Sequence, residues 1–255
     1  MTQKDIPNCF LPVTQLSEKL EKGGLSSLEL IEEYLERIRK YDRNLGAFID
    51  VYEEEARKAA SASDMARASG HIIGPLQGIP VAVKDIIDIE GKITTGGSMV
   101  WKDRRSSLTA TLVRRMVEAG MIVLGKTHTV EFAMGSFGTN QHMGSPKNPW
   151  DLEEHRATGG SSAGTASAVA AGLTPWGIGT DTGGSVRIPS AWCGLTGLKT
   201  SVGRISTHGV LPLSHTLDTP GPMCRSVEDA AILYRILAGP DEQDSRTLIH
   251  PVEDP

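Results

Sequence analysis

The chain has 255 residues, 39% hydrophobic, 22% charged and 5% aromatic, which is enough apolar material for a sizeable core and excludes global disorder. Its 26 Lys and Arg against 31 Asp and Glu leave a formal net charge of −5, which argues against nucleic acid as a partner. Cys9, Cys193 and Cys224 lie far apart and form no Cys-x-x-Cys pair, so neither a disulfide framework nor a zinc cluster is expected, and a reducing compartment fits best.

Met1 to Phe10 is polar and carries no signal-peptide core, and no later apolar run approaches a membrane span. The sequence thus reads as soluble and cytoplasmic, without a membrane partner. Ser26 and Glu29 have the spacing of a capping box, and Leu28, Ile31, Leu35 and Ile38 recur at helical intervals behind it. Val51 to Ala68, with Glu early and Arg and Lys later, predicts a second, largely exposed helix. After the break Gly74-Pro75, the run Ile79 to Val83 predicts a buried strand that ends in the charged pair Lys84-Asp85. Leu108 to Ala119 predicts a helix stopped by Gly120, and Met121 to Leu124 a further buried strand. Strand, helix and strand in succession imply an α/β sheet.

Gly135 to Ala157 is the longest predicted loop. Behind it, residues 157–186 contain a single charged side chain, Asp181, and eight of the 28 glycines, namely 159, 160, 164, 172, 177, 179, 183 and 184. A segment this small and uncharged belongs where backbones approach each other or a ligand. Within it Ser162 to Ala171 predicts a tightly packed helix and Trp176 to Thr180 a central strand. The last predicted helix runs from Val227 to Ala238, capped by Ser226 and ended by Gly239-Pro240. The expected organisation is a helical segment over 1–70, a core over 71–240 and a polar tail over 241–255.

Three constellations compete for the chemistry. Gly120-x4-Gly125-Lys126-Thr127 spells a P-loop, but a helix precedes Gly120 and the four intervening residues are a strand, so Lys126 is expected to be a strand-end residue. Gly160-x-Ser162-x-Gly164 spells a nucleophile elbow, with Asp181 or Asp218 and His208 or His215 downstream as triad partners; the polar stretch Asp151 to Arg156 stands where that elbow needs a strand. The third needs no histidine. Gly159-Gly160-Ser161-Ser162-Ala163-Gly164 is followed by Asp181-Thr182-Gly183-Gly184-Ser185-Val186-Arg187, with Lys84 at a strand end upstream. A serine nucleophile needs a base, and a lysine kept neutral by burial can serve, while consecutive glycines let backbone N–H groups converge on a developing oxyanion.

These blocks, from about Ile79 to Leu237, resemble the amidase signature family. The resemblance implies α/β/α layers around a central mixed β-sheet, with this chain as the N-terminal part of the full family fold, since members are about twice as long. It implies Ser185 as acylated nucleophile, Ser161 as bridging serine after a cis Gly160-Ser161 bond, and Lys84 as base. The backbone amides of Thr182, Gly183, Gly184 and Ser185 would form the oxyanion hole, with Ser162, Asp181 and Arg187 in support and Met134, Gly135 and Ser136 beside the acyl group. No metal or organic cofactor is implied. The expected substrate is a small-molecule amide, and the expected assembly is a homo-oligomer or a complex with a partner subunit.

Other readings stand beside this one. Lys84 can be a lysine salt-bridged to Asp85, Ser161 and Ser162 can be helix caps, and Arg187 can receive a substrate carboxylate rather than shape the loop. As a whole the chain can instead be a glutaminase-type subunit of a transamidation complex, or a catalytically silent truncated or structural piece. Two residues depart from the family pattern: Ala163, often glycine, and the run His128 to Glu131, which differs from the Asn-x-Asp-Glu of the glutaminase-type subunits.

Overall fold

A computed structural model describes residues 6–252 of the chain. Helices α1 (Val13–Glu21) and α2 (Ser27–Arg37) open the fold. The capping box forms as the sequence predicts: the Glu29 N–H donates to Ser26 Oγ, and the Ser26 N–H donates to the Glu29 carboxylate at 2.8 Å. A π-helical turn, Ile38–Asp42, and the three-residue turn α3 (Arg43–Leu45) lead into strand β1 (Phe48–Val51). The helix expected from Val51 therefore starts later, as α4 (Glu53–Ala68). Four residues, three half-buried and Asp50 exposed, carry too little period to predict β1, which exists through a partner far downstream.

Strand β2 (Pro80–Lys84) is buried along its whole length. Helix α5 (Thr111–Glu118) is shorter at both ends than predicted. It stops before Gly120, whose φ of 89° and approach to Gln77 leave no room for a side chain. Strand β3 (Ile122–Thr127) continues past its apolar run into Gly125-Lys126-Thr127 because β2 pairs with it on one side and β1 on the other. Helix α6 (Ala163–Ala170) and strand β4 (Gly177–Asp181) fall where expected, within a residue. Helix α7 (Arg187–Cys193), strand β5 (Thr196–Gly197), strand β6 (Thr219–Cys224) and helix α8 (Val227–Leu237) complete the chain. Pro220 and Pro222 hide β6 from a sequence reading, since proline is rare within a sheet. The whole strand is nonetheless buried and pairs with β4.

The six strands form one mixed sheet in the order β1-β3-β2-β4-β6-β5, flanked by helices. The central trio β3, β2 and β4 is parallel, and the outer pairings are antiparallel. The carboxyl ends of the parallel strands thus carry Thr127, Lys84 and Asp181 to one edge of the sheet, where open α/β sheets place their sites. Helix α6 lies close on this sheet, and every residue from Ala163 to Val169 is buried. A Cβ on Gly164 would sit 2.3 Å from both the Ala47 carbonyl oxygen and the His128 nitrogen.

The segment 241–252, within the stretch expected as a polar tail, is hydrogen-bonded to the core. Asp244 accepts from the Thr207 N–H and hydroxyl, both at 2.7 Å, Asp241 accepts from Ser206 Oγ at 2.6 Å, and the Leu248 N–H reaches Gly203 O. The segment expected to be helical also contributes β1, and Asp229 of α8 accepts from the Val13 N–H at 3.0 Å, tying the first helix to the last. Among the described residues no helix is long and apolar enough to cross a membrane.

Candidate active site

Lys84 ends β2 with no solvent exposure. Its Nζ donates to Ser161 Oγ at 2.7 Å and to Thr180 Oγ1 at 2.9 Å. No carboxylate lies within hydrogen-bond reach of this amine among the described residues, so the expected alternative of a Lys84–Asp85 salt bridge does not hold; Asp85 pairs with Lys126. Burial pushes the Lys84 amine down to about 7, against the opposing pull of the Asp181 and Asp218 carboxylates. A lysine in this state is available as a base near neutral pH.

Ser161 follows a cis peptide bond from Gly160. Its main chain is clamped as well: its carbonyl oxygen accepts from Thr129 Oγ1 at 3.1 Å and from the Val130 N–H at 3.2 Å. The Gly160 N–H donates to Ser136 O at 2.7 Å. Ser136 therefore supports the serine block through its backbone. Met134, by contrast, is largely exposed and lines a cavity with Val130, Phe132 and Asn140 that neither Gly135 nor Ser136 reaches.

Ser162 has a different surrounding from its neighbour. Its hydroxyl faces the main chain of Thr180, at 3.3 Å from both N and O, and makes no cap bond to α6. The elbow reading fails on these contacts. Among the described residues no strand runs directly into Ser162, its hydroxyl meets backbone rather than histidine, and both candidate carboxylates are held by loops. Asp218 accepts from Thr182 Oγ1 and from the N–H groups of Leu213 and Ser214, and Asp181 is held by the loop that follows it.

Asp181 shapes that loop. Its carboxylate accepts from the N–H groups of Gly184 (2.8 Å), Val186 (3.1 Å) and Arg187 (3.3 Å) and from Nε and Nη2 of Arg187. Burial alone would raise this carboxyl, but the Arg187 guanidinium and the three N–H groups hold it below the usual range. The arrangement corrects one expectation: the Gly184 N–H, predicted to face an oxyanion, is turned onto Asp181. The N–H groups of Thr182, Gly183 and Ser185 have no hydrogen-bond partner among the described residues and stay available. Arg187 is committed to Asp181 through two of its nitrogens, which leaves the carboxylate-receptor reading little support.

Ser185 lies beside the serine block, its carbonyl accepting from the Ser162 N–H at 3.3 Å. Its side chain makes no hydrogen bond among the described residues. With 9% exposure it is the only one of Lys84, Ser161 and Ser185 that reaches the surface. Sequence reasoning missed Thr180 and Thr129, because one threonine in a strand or loop looks like any other until a partner from a distant segment arrives. Lys126, the P-loop lysine by spelling, is a buried residue of β3. Among the described residues no cluster of three or more His, Cys, Asp or Glu side chains is placed to hold a metal ion.

Residues 29–255 match the family model described as Amidase. Among curated relatives, a glutamyl-tRNA(Gln) amidotransferase subunit from Halorhodospira halophila is 45% identical over 242 residues, covering 95% of this chain and 49% of that protein. The corresponding protein of Acinetobacter baumannii is 43% identical over 244 residues, covering 96% and 49%. The chain thus spans about half the length of the curated relatives it matches. Among solved structures, peptide amidase from Stenotrophomonas maltophilia superposes with a TM-score of 0.87 at 36% identity over 95% of this chain and 50% of that one. A vestigial protein complex bearing on the origins of an s-triazine catabolic enzyme gives 0.92 at 38% identity, over 96% and 53%.

Proposed function

The chain belongs to the amidase family, and from that premise we propose that it cleaves a carbon–nitrogen bond through an acyl-enzyme on Ser185. The observation that carries the reading is Lys84: a fully buried amine whose hydrogen-bond partners are two hydroxyls, one of them Ser161 at 2.7 Å. In the neutral form Lys84 accepts the Ser161 proton across that contact while Ser161 accepts the proton of Ser185. The Ser185 oxygen attacks the amide carbonyl, and the N–H groups of Thr182, Gly183 and Ser185 stabilise the oxyanion. The proton returns through Ser161 to the leaving nitrogen, the carbon–nitrogen bond breaks, and water releases the acyl group by the same relay in reverse.

Ser185→Ala and Lys84→Ala are each expected to remove amide hydrolysis while the fold persists, as judged by circular dichroism and by ammonia release from a panel of short amides. Labelling with a fluorophosphonate followed by peptide mapping adds an independent readout. A label on Ser162 would overturn the assignment, and no label on either serine would favour a catalytically silent chain.

A second reading, a glutaminase-type component of a transamidation complex, is favoured by the 45% identity to the glutamyl-tRNA(Gln) amidotransferase relative. It predicts ammonia release from glutamine only when partner subunits are added. Release from simple amides by the chain alone favours the first reading.

A further inference from the structure

The proposed relay uses one buried lysine, yet the sheet buries two. Lys126 on β3 is as inaccessible as Lys84. In the β2–β3 register Lys84 is opposite Thr127, and Val83 is opposite Lys126. Strand alternation therefore sends Lys84 and Thr127 to one side, where Thr127 Oγ1 meets Thr165 Oγ1 of α6 at 2.7 Å, and Lys126 to the other. Asp85, the residue after the base, turns to the Lys126 side. Lys126 Nζ donates to Asp85 Oδ1 at 3.2 Å, to Ile87 O at 2.6 Å and to Thr94 Oγ1 at 2.8 Å, so all three ammonium protons have acceptors. The second Asp85 oxygen accepts from the N–H and hydroxyl of Thr95.

The two lysines are equally buried but differently paired. Burial pushes the Lys126 amine down and the Asp85 carboxyl up, but each draws the other back toward its charged form, and Lys126 has a carbonyl and a hydroxyl besides, whereas Lys84 has hydroxyls alone. We propose that Lys126 is a positioning residue for the base: by neutralising Asp85 on the far side of β2, it keeps a buried negative charge from acting on Lys84 and lets Lys84 stay a neutral amine. The proposal rests on the reading of Lys84 as the base.

The other charges around the pair are already compensated. Asp181 and Asp218 face Lys84, the first bound by Arg187 and three N–H groups, the second by Thr182, Leu213 and Ser214. On the far side, Asp88 faces Lys126 but is gripped by both terminal nitrogens of Arg104, at 2.8 and 3.0 Å, and by Ser106. Tyr52, His128 and Arg104 face Asp85: burial pushes the Tyr52 hydroxyl up and the His128 ring down, so neither is a cation in this setting, and the Arg104 guanidinium is committed to Asp88. Without Lys126, the Asp85 carboxylate would keep only Thr95 as a hydrogen-bond partner among the described residues. A lone carboxylate across one strand, at an effective dielectric of about 20, favours the protonated form of a neighbouring amine by about one pH unit.

The test is the pH profile of Ser185 labelling by a fluorophosphonate, followed on the intact 255-residue chain by mass spectrometry from pH 5 to 10. Lys126→Met is expected to move the acid limb up by about one pH unit, an about tenfold slower rate below the limb. The double variant Lys126→Met/Asp85→Asn is expected to bring the limb back to the wild-type position. A limb that does not move in Lys126→Met, or that stays displaced in the double variant, overturns the proposal; a packing defect alone lowers the rate at every pH without moving the limb. Should Lys126→Met not fold, Asp85→Asn decides instead: it is expected to move the limb down, and a limb at or above the wild-type position overturns the proposal. Lys84→Ala separates the two levels. Unchanged labelling in that variant would remove the base assignment itself, whereas lost labelling together with an unmoved Lys126→Met limb would remove only the role of Lys126.

Discussion

At Lys84 a single side chain carries both the chemistry and a cost in stability. Its ordinary value is 10.5 and burial brings it to about 7, so acylation is expected to fall by about tenfold per pH unit below pH 7 as the amine takes up its proton. The same shift acts on folding. Between pH 7 and 10.5 the unfolded chain binds more protons than the folded one. Stability therefore increases across that window as pH rises and is lost as pH falls towards 7. Replacing the amine removes a penalty on the order of 4 kcal/mol at pH 7, offset by about 1 kcal/mol for each of the hydrogen bonds to Ser161 and Thr180. Lys84→Met is thus expected to be inactive yet more stable by about 2 kcal/mol at pH 7, with the gain fading by pH 10. Urea denaturation at the two pH values measures it, and a variant less stable than wild type at pH 7 contradicts the account.

Among the elements, α6 decides how closely the serine block meets the sheet. It follows directly on Ser161-Ser162, and its small residues let its backbone approach β1 and β3: the Gly164 N–H donates to His128 O at 2.9 Å, and a Cβ there would overlap Ala47 O and the His128 nitrogen. Backbone cannot yield as a flexible side chain can. Gly164→Ala is therefore expected to destabilise by about 2–3 kcal/mol, read as a lowered urea midpoint, and to reduce Ser185 labelling in the fraction that folds, because Ser161 moves with the helix. A Gly164→Ala protein with wild-type midpoint would show that α6 has slack. The opposing loop depends on charge rather than packing, since Asp181 gathers three N–H groups and Arg187 at the turn that presents Ser185.

For the whole molecule, the issue is how distant segments are joined. Asp229 connects α8 to the start of α1, and Asp244 fastens the 241–252 segment to Thr207. Burial would raise the Asp244 carboxyl, but Thr207 and Arg246 bring it down to about 2, from an ordinary 3.8. Its contribution is complete above pH 3.8 and is lost as pH falls through about 2, so at pH 7 Asp244→Ala is expected to cost about 2 kcal/mol. Limited proteolysis provides a second readout: cleavage after Arg246 should accelerate in the variant, and equal rates would mean that the latch has another anchor.

The sequence alone determined the elements whose signal is local. The Ser26–Glu29 cap, the apolar run into Lys84, the small-residue helix after Ser162 and the Ser226 cap each lie within a few neighbouring residues. The glycine and serine blocks also announced their chemistry, because a nucleophile, a relay and converging backbone donors need those residue types at close spacing. What tertiary structure alone decided were pairings between segments far apart in the chain. Strand β1 exists only beside β3, β6 is a strand despite two prolines because β4 supplies its ladder, and the 241–252 segment is ordered by Thr207. The site follows the same division. Lys84 and Ser161 are legible as residue types, but which lysine meets hydroxyls and which meets a carboxylate is set by strand register. Asp85 lies one residue past Lys84, where β2 ends, and the alternation of the extended chain sends them to opposite sides, giving one buried lysine a counter-ion and leaving the other without one.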